Sequence, residues 1–103
     1  MQKLLATLTL LTLAASAQAA PFANGDPTSG KKLFDKYQCN SCHIDMVGGD
    51  GNAVFTRPNR KVSKPEQLSA QTKRCAGVVG ANISAQEEEH LAAYLNQKFY
   101  KFK

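Results

Sequence analysis

Cys39-Asn40-Ser41-Cys42-His43 decides how this chain is read. C-x-x-C-H is the attachment pattern of c-type haem. Two thiols three positions apart can each form a thioether at one edge of a porphyrin, and the histidine that follows offers an imidazole to the iron. Cys39 and Cys42 are therefore the candidate attachment residues for one covalent haem c, and His43 is its candidate proximal ligand. Such a group brings redox or gas-binding chemistry of its own, which the polypeptide tunes.

The residues upstream agree with this reading. Met1-Gln2-Lys3 is a short basic stretch, Leu4 to Ala15 is apolar but for three threonines, and Ala17-Gln18-Ala19 fits an A-x-A cleavage rule. Residues 1–19 thus read as a secretory signal peptide, cut after Ala19. The apolar run is shorter than the ~20 residues of a membrane span, so a periplasmic protein with no span after cleavage is expected. Covalent haem attachment in bacteria occurs outside the cytoplasm, so export signal and haem motif support each other.

Removing 19 of the 103 residues leaves 84. That is one small domain with little apolar core of its own. It needs a staple, and a covalently held haem is one. The whole chain carries +5, and losing Lys3 leaves +4. A modest basic surface suits docking to an acidic redox partner and makes association salt-sensitive. Lys and Arg are scattered along the chain, which with the export signal argues against nucleic acid. A monomer is expected. Of three cysteines, the motif uses two. Cys75 is left with no thiol in the chain to pair with.

Residues 20–27 are small, polar and turn-rich and read as a flexible leader, with the haem domain over 28–103. Thr28 or Ser29 can cap a helix to about Tyr37, with Leu33, Phe34 and Tyr37 on one face. Gly30 inside that helix costs ~1 kcal/mol, which a close helix crossing would explain. Val47-Gly48-Gly49-Asp50-Gly51-Asn52 is a turn or loop. No strand precedes it and no P-loop lysine follows, so a phosphate cradle is disfavoured. Residues 53 to 62 read as a solvated basic loop. One of Arg57, Arg60 and Lys61 is a candidate partner for a haem propionate. Ser63-Lys64-Pro65-Glu66 reads as a capping box for a helix over 64–76, on which Leu68 and Cys75 share a face. Ser84-Ala85-Gln86-Glu87 reads as a second box, for a helix over 85–99 with Leu91, Tyr94, Leu95 and Lys98 on its inner stripe. The expectation is all-α, with three principal helices around one haem.

Gly30-x-x-Leu33-Phe34 before the motif, and Leu91-x-x-Tyr94-Leu95 after it, resemble the first and last helices of the class I, mitochondrial-type cytochromes c. That resemblance implies a near-perpendicular crossing of the two helices with Gly30, Phe34 and Tyr94 at the contact. Gly48-Gly49-Asp50-Gly51, the lone Cys75, and Tyr94-Leu95-Asn96…Phe99-Tyr100-Lys101-Phe102 resemble small bacterial periplasmic monohaem cytochromes.

The family usually binds iron on its distal side with a methionine far downstream. This chain has only Met1 and Met46. Met46 lies three residues past His43, a span of at most roughly 10 Å, too little to round the porphyrin edge, so Met46 reads as a packing residue. The candidates are Cys75, His90, Asn82 or an open site. Cys75 is favoured. It lies 32 residues past His43, faces inward with Leu68, and neighbours Lys73 and Arg74, whose charge favours a thiolate. A buried inert thiol or an intermolecular disulfide are the other readings of Cys75. His90 also reads as a helix-surface residue and Asn82 as a turn residue. The function expected is single-electron transfer between partners rather than enzyme catalysis. The alternatives are a gas-binding or sensing haem protein with a weak or absent sixth ligand, or the haem subunit of a sulfur-oxidising enzyme.

Overall fold

A computed structural model describes residues 20–103. The expected signal peptide lies outside the described residues. Those residues form helices and no strand: α1 (Pro27–Lys36), α2 (His43–Val47), a 3₁₀ turn (Asn52–Phe55), α3 (Pro65–Val78) and α4 (Ala85–Leu95), which runs on into a π-type turn (Asn96–Tyr100). The three principal helices are those expected, with the short α2 added directly after the haem motif.

α1 starts earlier than the Thr28/Ser29 reading placed it. The Asp26 carboxylate accepts from the backbone N–H of Thr28 and Ser29 at 3.2 and 3.3 Å, with Pro27 at the first helical position. Proline there gives up a donor that has no helical partner anyway. The residues just before it, read as part of a flexible leader, are tied down instead. Gln86 donates to the Asn24 carbonyl at 2.8 Å, Asp26 N–H donates to His90 Nδ1 at 2.8 Å, and Phe22 packs against the apolar core. Aromatic burial at Phe22 outweighs the turn-rich composition around it.

α1 crosses α4 at Gly30. A Cβ there would run into the His90 carbonyl and lie 2.8 Å from Tyr94 Cβ. The Phe34 and Tyr94 rings meet edge-on with centroids 5.4 Å apart. Gly30, Phe34 and Tyr94 lie at the α1–α4 contact, the place the resemblance implies for them.

α3 runs to Val78, two residues past its expected end. Gly77 does not stop it; Gly80 does, at φ +71. Gly80 N–H bonds the Gly77 carbonyl and Ala81 N–H the Ala76 carbonyl, which closes a Schellman motif. Its start departs from the capping box read there. Lys64 is the N-cap without a side-chain bond, and Gln67 Oε1 accepts from both the amide and the hydroxyl of Ser63. At α4 both halves of the Ser84/Glu87 box form. Past α4, Asn96 is buried and exchanges two bonds with the Phe102 backbone. The aromatic tail thus folds back onto the core, while Lys98 is exposed rather than on the inner stripe.

Candidate haem site

Left-handed backbone at Gln38, φ +49, ends α1 and aims the motif. Cys39 N–H bonds back to the Phe34 carbonyl at 3.1 Å, the long bond of another Schellman closure. Turns at Ser41 and His43 follow, with bonds to the Gln38 and Asn40 carbonyls at 2.9 Å each. His43 then opens α2. Cys39 and His43 are thereby turned into an apolar cleft, and Cys42 stands exposed beside them at the N-cap of α2.

The cleft encloses about 990 Å³, including its open mouth. α3 presents one stripe to it: Leu68, Gln71, Thr72, Cys75 and Ala76, spaced at three, four, seven and eight residues as one helix face requires. Leu68 and Cys75 share that face as their spacing predicts. Thr72 spends its hydroxyl on the Leu68 carbonyl at 2.8 Å, so it adds no unpaired polar group to the wall. Gln71 Nε2 donates to Cys75 Sγ at 3.3 Å. Lys73 and Arg74 are exposed. Leu91 and Leu95 of α4 line the cleft as well.

His43 stacks edge-on against Phe55, centroids 5.5 Å apart. Its Nδ1 lies 2.8 Å from Asn40 Oδ1. Burial, and secondarily the positive charge of Arg57, hold the imidazole below its ordinary pKa, so it is neutral and has a lone pair to give. Burial, and then the neighbouring Cys75, push the Cys39 thiol up.

Arg57, Arg60 and Lys61 divide their roles. Arg57 lines the cleft, and its Nε is buried without a hydrogen-bond partner. An unpaired buried guanidinium nitrogen is costly, and an anionic group in the cleft would satisfy it. Arg60 is already engaged: its Nε donates to the Val62 carbonyl at 2.9 Å and its guanidinium lies 5.3 Å from the Tyr100 ring centroid. Lys61 is exposed at the cleft wall. The solvated loop expected over 53 to 62 is thus partly core. Phe55 and Val62 are 7% and 4% exposed, and Phe55 meets Phe34, Phe99 and Tyr100. The adjacent apolar pair Val54-Phe55 in a polar run was the available signal.

The other candidate ligands separate cleanly. His90 is outside the cleft lining, its Nδ1 taken by the Asp26 amide. Asn82 is exposed and also outside it. Met46, read as a packing residue, is instead 61% exposed at the cleft's edge: it shares the His43 side of α2 but lies at the open rim, where nothing covers it. These residues fit a covalently held haem. Cys39 and Cys42 would attach it, His43 would ligate it, Cys75 faces the same space, and Arg57 has a nitrogen waiting for an anion such as a propionate.

No curated protein and no solved structure matches the chain. A family model does, over residues 25–95: the family described as cytochrome c oxidase, cbb3-type, subunit III. The match opens two residues before α1 and closes where the regular turns of α4 do. It therefore takes in the motif, the cleft and both crossing helices, and the chain belongs to this family as a c-type cytochrome domain built for haem-based electron transfer.

Proposed function

We propose that the mature chain is a periplasmic monohaem carrier that passes single electrons between redox partners and catalyses no reaction of its own. In this reading His43 is the proximal ligand and Cys75 the distal one. The observation that carries it is the meeting in one cleft of His43, Cys75 and the unpartnered Arg57 nitrogen. Bound haem supplies the one-electron iron couple. The chain's share is to hold His43 neutral and oriented, to keep the cleft wall apolar, and to set a cation, Arg57, inside it. Exposed Lys61 at the rim, with a chain that is net basic, suits an acidic partner surface. Reduction by such a partner should slow as salt rises.

Mass spectrometry of the denatured periplasmic protein should show residues 20–103 plus one haem, and a spectroelectrochemical titration should be reversible with one electron. An unmodified mass with both motif thiols alkylatable overturns the reading. A protein that is high-spin in the oxidised state as well as the reduced one, and binds carbon monoxide at once, replaces it with the gas-binding alternative.

A further inference from the structure

The glycine-rich loop between α2 and the 3₁₀ turn has no role in attaching haem, yet it grips the motif from behind. We propose that Asn40 is the positioning residue for the proximal histidine, and that the Asp50-Gly51-Asn52 loop is the clamp that holds Asn40 in place. The proposal rests on the reading of His43 as proximal ligand.

The amide of Asn40 is oriented by its neighbours. Its Nδ2 points at two acceptors, the Asp50 carbonyl at 3.0 Å and Asn52 Oδ1 at 2.6 Å. The opposite orientation would set an oxygen against two oxygens, so Oδ1 is the atom that faces His43 Nδ1 at 2.8 Å. His43 Nδ1–H therefore donates to Asn40, and the lone pair is left on Nε2. A ligating histidine that donates its other N–H has its ring plane fixed and its basicity raised.

Asn52 is itself pinned. Its amide N–H and Nδ2 donate to the two carboxylate oxygens of Asp50 at 3.0 and 2.9 Å. Gly51, at φ +85, lets the loop close on the motif: a Cβ there would lie 3.0 Å from His43 Cβ and 3.2 Å from Asn40 Cβ. Aspartate, glycine and asparagine thus each have a task in the chain from Asp50 to His43. A neutral amide is a weaker acceptor than a carboxylate, so this arrangement sets a moderate donor strength for the imidazole.

The test uses the haem-loaded protein, reduced under carbon monoxide. That state is diamagnetic whether carbon monoxide or an internal ligand holds the distal side. In proton NMR the wild-type His43 Nδ1–H should exchange slowly with water. In Asn40→Ala it should exchange faster, and the midpoint potential of the protein without carbon monoxide should rise as the imidazole becomes a poorer donor. In Asn40→Asp the carboxylate loses the two bonds that Nδ2 makes to the clamp but still offers a charged acceptor to Nδ1–H, so the potential should fall rather than rise. Simple damage to the site would move both variants the same way. Should Asn40→Ala fail to mature, Asn52→Ala leaves the motif intact and should show the same faster exchange to a smaller degree. Unchanged Nδ1–H exchange in Asn40→Ala, or in Asn52→Ala where only that protein is obtained, overturns the proposal. A wild-type spectrum with no ring-current-shifted His43 protons overturns the ligand reading itself.

Discussion

Gly30 of α1 rests on the backbone carbonyl of His90 in α4, with no room between them for a Cβ. The contact decides how closely the two helices cross, and through Phe34, which meets Tyr94 on one side and Phe55 on the other, how the cleft wall is set. The obstacle on the α4 side is backbone, which cannot swing away as a long side chain would. Gly30→Ala should therefore destabilise the protein by about 1–3 kcal/mol or more through overpacking, despite alanine's better helix propensity. A urea melt of the haem-loaded protein measures this. A midpoint at or above that of the native protein would show that the crossing relaxes freely.

Gly77 and Gly80 make the opposite pair. Both have open space where a Cβ would go, but Gly80 sits at φ +71 and Gly77 within regular helix. Gly77→Ala should stabilise by about 0.4–1 kcal/mol, because the unfolded chain loses freedom that the native helix never used. Gly80→Ala should destabilise by about 1–2 kcal/mol, the cost of a Cβ in left-handed backbone. Equal shifts from the two substitutions would remove the backbone explanation.

Asp26 ties the start of α1 to pH. Its carboxyl is held below the ordinary 3.8, first by the Ser29 hydroxyl, then by the Thr28 amide. A depressed folded value means the stabilisation is complete above 3.8 and is lost as pH falls through the folded value below it. His90 is the other titratable group facing it, and it receives the Asp26 N–H. Asp26→Asn keeps a capping side chain and removes the charge. Its thermal midpoint should lie below the native one at neutral pH and converge with it in acid. A gap that stays constant down through the acid range would assign the effect to packing.

The motif, the box at Ser84, and the Leu68/Cys75 face were all legible in the sequence because each depends on spacing along one element. The inward turn of Arg57 and the burial of Phe55 were not. They lie in a segment without periodicity, where position is set by what packs around it. Asn40 was hidden for a related reason. As a variable position inside C-x-x-C-H it carries no pattern, and its partners Asp50 and Asn52 lie ten and twelve residues on. The clamp becomes visible only once the loop has closed.

Arg57 gives a prediction about potential. Its Nε is buried with no partner, and its charge acts on His43. A cation in the cleft disfavours the ferric state, so Arg57→Met should lower the midpoint potential. Lys61→Met, at an exposed and solvent-screened position, should move it less. Spectroelectrochemical titration of the three proteins ranks them. Equal shifts would mean that both charges are screened alike and that Arg57 is not turned into the site.

Cys75 is the proposed distal ligand. Its sulfur lines the same cleft as His43, receives the Gln71 amide at 3.3 Å, and belongs to a stripe of α3 that otherwise offers the iron only poor donors. His90 and Asn82 lie outside that lining, so no other described residue among the distal candidates competes with it. A thiolate donates negative charge and stabilises ferric iron, so the potential should lie below that of a His/Met cytochrome, where methionine raises it. Reduction should loosen the bond, since the ferrous ion attracts an anion less and the released thiolate can take up a proton. Cys75→Ala should convert the oxidised protein from low spin to high spin or water-ligated, with the thioethers at Cys39 and Cys42 intact by mass. Gln71→Leu removes the amide donor to the sulfur and should leave the ligand in place. Electron paramagnetic resonance reads both. A Cys75→Ala protein that keeps the native low-spin signal would remove the cysteine from the iron and leave its sulfur as part of the apolar wall.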